Sequence, residues 1–248
     1  MPRNDEKLLV SWKGPKSKQN FFVGLLSKNY DSEGLNYKFI YNKEIVQQAK
    51  EEGFVPFVGL RDLNKVYYSD KLFSVFERRL PSENRHIFKK FINDYQLSNS
   101  DTVKWEYLKI TKGRTATDNL SFLEPVYFDH NNLTYSGEIA GWSYTQKNND
   151  SLKINDKVIL RRDVSNSKDK EAVEIIDPNN DNERVGYVQK PFNKVFFNLL
   201  KEGYYLQGFI KSLDPYDGRP TLSIKKEITM EDLNDKELSY LIHIRDSE

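Results

Sequence analysis

The sequence has no cysteine, only three histidines and two methionines, and no long run of apolar residues. The missing cysteine excludes disulfides, zinc ribbons and a thiol nucleophile, and suits a chain to a reducing compartment, so a cytoplasmic location is expected. His86, His130 and His243 are scattered, and none has a second histidine at ligand spacing, which argues against a histidine-based metal or nucleophile site. The opening residues Met1-Pro2-Arg3-Asn4-Asp5-Glu6 lack the apolar centre of a signal peptide, and the interrupted apolar stretches are too short to span a bilayer. No membrane partner and no cofactor are expected. Carboxylates are plentiful, but Asp163, Asp169 and Glu171 form the one acidic cluster near any candidate site, and they lack the pattern of a nuclease centre. The chain reads as non-enzymatic.

What is abundant is aromatic: 15 Phe, 15 Tyr and 3 Trp in 248 residues, enough to build a core in each of two small domains. The net charge of +1 hides an uneven distribution. Residues 1–120 carry 21 Lys and Arg against 15 Asp and Glu, residues 136–226 carry 15 against 13, and residues 227–248 carry 2 against 7. A coat protein for nucleic acid would show a broad basic excess. Any nucleic acid is therefore expected to be held locally, at an end or a loop.

Hydrophobic periodicity orders the first half as strands at Lys7–Trp12, Phe21–Leu26 and Leu35–Tyr41, with a helix from Asn42 to Glu52 closed by Gly53. An irregular stretch follows from Phe54 to Tyr68. Helices are expected at Lys71–Arg79, Glu83–Tyr95 and near Ser100–Lys109, with Ser82 as an N-cap. Phe122–Leu133, with Pro125 and the polar run Asp129-His130-Asn131-Asn132, reads as a linker. Beyond it strands are expected near 134–145, 157–163, 171–177, 183–188, 204–213 and 220–226, with a helix at 191–202. Leu233, Leu238, Leu241 and Ile242 stand at helical spacing in an acidic closing segment.

The densest signal lies between Leu160 and Val188. Strand-like residues on either side enclose Ser165-Asn166-Ser167-Lys168-Asp169, a run of turn formers whose side chains bond local backbone. The spacing L-x-R-[DE]-x-x-N-x-x-D-x-x-A-[VI], followed by Val185-Gly186-Tyr187-Val188, resembles the HIRAN domain, a module of fork-remodelling ATPases. Gly137 to Tyr144 resembles its opening strand and Pro191 to Gly203 its helix, and the resemblance covers residues 134–226. The first half, over residues 7–122, resembles the N-terminal subdomain of HipA-type toxin kinases, through V-G-x-L, the segment Leu72 to Arg85 and Ala116 to Leu120. Arg78-Arg79-Leu80-Pro81-Ser82-Glu83 departs from that family's usual loop, and the kinase core is absent.

The expected fold class is therefore α+β. Residues 1–122 would form a small sheet with helices, 123–133 a linker, 134–228 an OB-like β-barrel of HIRAN type and 229–248 an acidic helix. The HIRAN resemblance implies recognition of single-stranded DNA or DNA 3′ ends, in repair or phage defence. It places Tyr144 as a base-stacking aromatic, Asn166 and Asp169 at the polar corner, and Lys190 on phosphate. Arg162, Lys168 and Tyr187 complete the candidate surface. Where end-binding members have Arg and Tyr, this chain has Ser143 and Lys168, which puts a cation into the corner. Each residue also has a plainer reading: Asn166 and Asp169 as shapers of the turn, Tyr144 as a core tyrosine, Lys190 and the arginines as solvated charges. Arg78, Arg79, Arg85, Lys89 and Lys90 suggest a second basic patch on a helical hairpin. The alternative function is a regulatory module whose first half docks a protein partner, such as a helicase, a nuclease or an antitoxin-like regulator.

Overall fold

The computed structural model describes residues 6–31, 34–97, 100–148, 152–214, 218–229, 238 and 240–244. They divide into two compact units, Met1–Glu124 and Pro125–Glu248. No helix among the described residues is long and apolar enough to cross a membrane.

The first unit is a small α+β domain. Its strands are β1 (Glu6–Lys13), β2 (Asn20–Asp31), β3 (Gly34–Tyr41), β4 (Tyr67–Ser69) and β5 (Leu120–Leu123), in the sheet order β4-β3-β2-β1-β5. Every pairing is antiparallel. The period-two pattern of β3 has the expected cause, since Tyr37, Phe39 and Tyr41 point to one buried face. Helix α1 (Lys43–Glu51) begins where Asn42 accepts a hydrogen bond from the Ile45 amide, and buries Val46 and Ala49. Helices α2 (Ser74–Glu77), α3 (His86–Asp94) and α4 (Ser100–Thr111) follow. Ser82 does not cap α3, which starts at His86 after Arg85. An aromatic cluster fills the core, with Phe39, Phe76 and Phe122 fully buried and meeting edge to face. Lys28 is only 3 % exposed yet lies 2.6 Å from Glu6 and 5.1 Å from the Trp105 ring, so its buried charge is compensated twice.

The second unit is a closed barrel. Its strands are β6 (Val126–Asp129), β7 (Asn132–Ala140), β8 (Lys157–Arg162), β9 (Val173–Asp177), β10 (Glu183–Val188), β11 (Gln207–Leu213), β12 (Pro220–Glu227) and β13 (Ile242–Ile244). Six of them, in the order β7-β10-β9-β8-β11-β12, close on themselves as Tyr187 and Val188 pair with Ala140 and Ile139. Strands β6 and β13 extend the sheet beyond β7. Closure removes the unpaired edges that a small open sheet would expose. It also needs a glycine. A Cβ at Gly186 would meet the Ala140 carbonyl oxygen and Ile139 Cγ2 at 2.5 Å, at the position where the β9–β10 register shifts. Helix α5 (Trp142–Thr145) follows β7, and helix α6 (Asn193–Lys201) buries Val195, Phe196 and Leu199, with Tyr135 lying 5.1 Å from Phe196 and from Phe192.

Two sequence expectations are corrected here. The segment expected as a linker instead holds the end of β5, all of β6 and the start of β7. Asp129-His130-Asn131-Asn132 is the tight hairpin between them, with φ of 45° at His130 and 62° at Asn131, the left-handed pair that such turns require. At the other end, Ile242–Ile244 pairs in parallel with β6, so these residues do not continue a helix. A parallel partner strand is a long-range choice that helical spacing in the sequence does not reveal. Residues 230–237, 239 and 245–248, which hold most of the expected acidic helix, lie outside the described residues.

Candidate nucleic-acid interface

The corner between β8 and β9 is shaped by its own side chains. Asp163 accepts hydrogen bonds from the Ser165 amide at 3.2 Å, the Ser165 hydroxyl at 2.8 Å and the Asn166 amide group at 3.3 Å. Asn166 in turn accepts from the amides of Lys168 and Asp169 at 3.0 and 3.1 Å. Asp169 accepts from the Glu171 amide at 3.1 Å and from Asn193 of α6 at 3.2 Å. Each carboxylate and amide thus satisfies backbone donors that a sharp turn leaves unpaired.

The corner is then fixed to the barrel. Tyr187 on β10 donates its hydroxyl hydrogen to Asp163 at 2.8 Å and accepts from Arg184 at 2.7 Å. The hydrogen bonds from Ser165, Tyr187 and Asn166 hold the Asp163 carboxyl below the usual aspartate range. Partial burial, reinforced by Asp163, pushes the Tyr187 phenol up. Both shifts favour one arrangement, an ionised acceptor facing a neutral donor. Lys190 lies 3.2 Å from Asp169, and Asn193, itself buried, also donates to the Glu171 carbonyl at 3.0 Å.

Tyr144 takes a different place from the one its sequence position suggested. The opening strand ends at Ala140, Gly141 turns in the left-handed region at φ 79°, and Trp142–Thr145 forms a single helical turn, α5. Trp142 is buried as its anchor, and Thr145 donates to the Val185 carbonyl at 2.5 Å, tying α5 to β10. Between these two anchors Tyr144 projects with 92 % of its surface exposed, so it is not a core tyrosine.

The sequence-predicted residues therefore separate. Asn166, Asp169 and Tyr187 are joined in the scaffold of the corner. Arg162 is half-buried, its guanidinium 5.5 Å from the centre of the Phe197 ring. Arg161, its neighbour, pairs with Glu174 at 2.7 Å. Lys168 is exposed, and its ammonium has no partner among the described residues. What remains available to a ligand is the ring of Tyr144, the ammonium of Lys168 and, by exchange with Asp169, Lys190. Sequence reasoning weighed Asp163 only as a possible metal ligand, and missed Arg184 and Asn193. An aspartate two and three residues ahead of Ser165-Asn166 was a local signal for the first, whereas nothing local pointed to the other two. Among the described residues no group of three or more His, Asp or Glu could hold a metal ion.

In the first unit the expected basic patch is broken. Arg79 turns inward to bond the Gly113 carbonyl at 2.7 Å and pair with Asp118, while Arg85, Lys89 and Lys90 remain exposed around α3. A guanidinium that fastens two backbone segments is not a surface charge.

The second unit is thus a closed, six-stranded barrel of OB-like type. The family comparison agrees in kind: the model of the HIRAN domain matches residues 132–231, a span that contains all six closing strands. The second unit thus carries a HIRAN-like domain. Two solved structures are similar to this region. A protein from Lactobacillus plantarum is 19 % identical over 38 % of this chain and 95 % of its own, with a TM-score of 0.34. The HIRAN domain of human HLTF is 19 % identical over 40 % of this chain and 78 % of its own, also with a TM-score of 0.34. Among curated proteins none matches significantly. These matches do not identify the first unit as HipA-like.

Proposed function

We propose that this protein is a non-enzymatic nucleic-acid-binding protein that takes single-stranded DNA or a DNA 3′ end at the corner of its HIRAN-like domain, in DNA repair or phage defence. The observation that carries this reading is Tyr144. A fully exposed aromatic ring, held on a helical turn that is anchored on both sides, is poorly explained by packing and well suited to stacking an unpaired base. Lys168 and Lys190 supply charge for the adjoining phosphates, and the hydrogen-bonded corner is already shaped, which lowers the ordering cost of binding.

Fluorescence anisotropy with labelled single strands, recessed duplexes and blunt duplexes over a salt series tests the proposal. Single strands and recessed ends should bind better than blunt duplex, with a shallow salt dependence reflecting only a few phosphate contacts. Absence of binding to all three at low salt would overturn it.

A second reading rests on the first unit, a separate compact body with its own aromatic core that the HIRAN match does not include. In that reading it docks a protein partner, a helicase, nuclease or antitoxin-like regulator. Affinity purification that returns the chain alone counts against it.

A further inference from the structure

The first unit contains a cavity of about 380 Å³ that the nucleic-acid reading leaves unused. Its apolar wall is made by Trp12, Phe54, Phe57 and Val75, and its polar side by Arg78, Arg79, Thr115, Thr117 and Asp118. The wall is a set of edges and faces already arranged for another ring. Trp12 and Phe54 meet at 5.4 Å with planes at 65°, and Phe54 and Phe57 at 5.5 Å with planes at 89°. A ligand ring in the cavity would meet these rings in offset or edge-to-face arrangements, which aromatic pairs favour.

The polar side has a surplus of positive charge. Arg79, its side chain 6 % exposed, is paired with Asp118, and its guanidinium also bonds the Gly113 carbonyl, yet its buried Nε has no hydrogen-bond partner. Arg78 is exposed, and only its Nε is engaged, donating to the Ser74 carbonyl at 3.3 Å. Its terminal nitrogens have no partner among the described residues. The Thr115 and Thr117 hydroxyls lie 3.3 Å apart and retain further bonding capacity. Two guanidinium groups against one carboxylate leave one positive charge, which matches a monoanion.

We propose that this cavity binds a small aromatic carboxylate, with the ring against Trp12, Phe54 and Phe57 and the carboxylate on Arg78 and the threonine hydroxyls. The volume lies at the small end of ligand pockets, the size of one aromatic acid rather than a nucleotide. A phosphate monoester carries close to two negative charges at neutral pH and exceeds the available compensation. A free aromatic acid and the C-terminal aromatic residue of a peptide present the same chemistry.

Calorimetric titration of the full chain with four probes tests this: N-acetylphenylalanine, its amide, phenyl phosphate and a short peptide ending in phenylalanine with a free carboxylate. Binding of either carboxylate probe, with at least about a tenfold loss for the amide and for Arg78→Ala, is expected from removing one charge-assisted hydrogen-bond pair. Arg78→Ala should leave thermal unfolding unchanged because the residue is exposed, and a second variant, Thr117→Val, should weaken binding in the same direction. A peptide that binds better than the free acid assigns the site to protein C-termini, and the reverse order assigns it to a metabolite. No binding of either carboxylate at millimolar concentration, equal binding of the amide, tighter binding of phenyl phosphate, or indifference to Arg78→Ala would each overturn the proposal.

Discussion

Tyr144→Ala separates a binding role from a structural one. The ring is 92 % exposed, so its removal deletes almost no packing, and the substitution should change unfolding free energy by no more than about 0.5 kcal/mol, the usual range for a surface site. The anchors of α5 are Trp142 and Thr145, neither of which is altered. If a base stacks on the ring, its loss should cost about 1–3 kcal/mol of binding, roughly 5- to 150-fold in Kd. The measurement pairs fluorescence anisotropy on a labelled single strand with urea unfolding of the same preparations. Tyr144→Phe should retain most of the affinity, because stacking uses the ring and not the hydroxyl. An unchanged Kd for Tyr144→Ala would refute the assignment outright. A weakened Kd accompanied by a large loss of stability would refute the reasoning in another way, by showing that the ring supports the fold.

Three further outcomes follow from particular contacts. Gly186→Ala places a methyl group 2.5 Å from a backbone oxygen that cannot swing away, so barrel closure should weaken by about 1–3 kcal/mol in chemical unfolding, and an unchanged midpoint would contradict the closure argument. Asp163 has a lowered pKa in the folded state, so its contribution to stability is present above the ordinary aspartate value near 3.9 and is lost as pH falls through the lower folded value. Asp163→Asn should therefore reduce stability at neutral pH and flatten the acid limb of the stability profile below about pH 4, and parallel acid limbs would show that the carboxylate is not engaged. The unpaired Lys168 ammonium should attract phosphate, so a strand ending in 3′-hydroxyl should show little preference over one ending in 3′-phosphate, with Lys168→Tyr shifting the balance toward the hydroxyl. Strong hydroxyl selectivity in the unaltered protein would count against this.

The sequence by itself determined the elements whose signal is local. Alternating Tyr37, Phe39 and Tyr41 specified a half-buried strand, and the apolar face of residues 193–201 specified a packed helix, because period and burial are both written within one element. The same holds for the α+β class and for the corner at 163–169, where the side chains bond backbone two or three residues away. Only the tertiary structure decided the rest. Asp129 to Asn132 has the composition of a linker, and becomes a hairpin because β6 finds β7 on one side and β13 on the other. Tyr144 reads in the sequence as the end of a strand, yet lies on an exposed helical turn in space, and that position depends on the hydrogen bond from Thr145 to Val185, 40 residues away. Tyr187 and Asp163, 24 residues apart, meet because β9 pairs with β8 on one side and β10 on the other. Arg78 and Arg79 are adjacent and chemically identical, yet one remains at the surface and the other is buried against Asp118, a partner 39 residues distant. A charge at the surface and a charge in the interior share one letter, and long-range packing alone assigns it to water or to a partner.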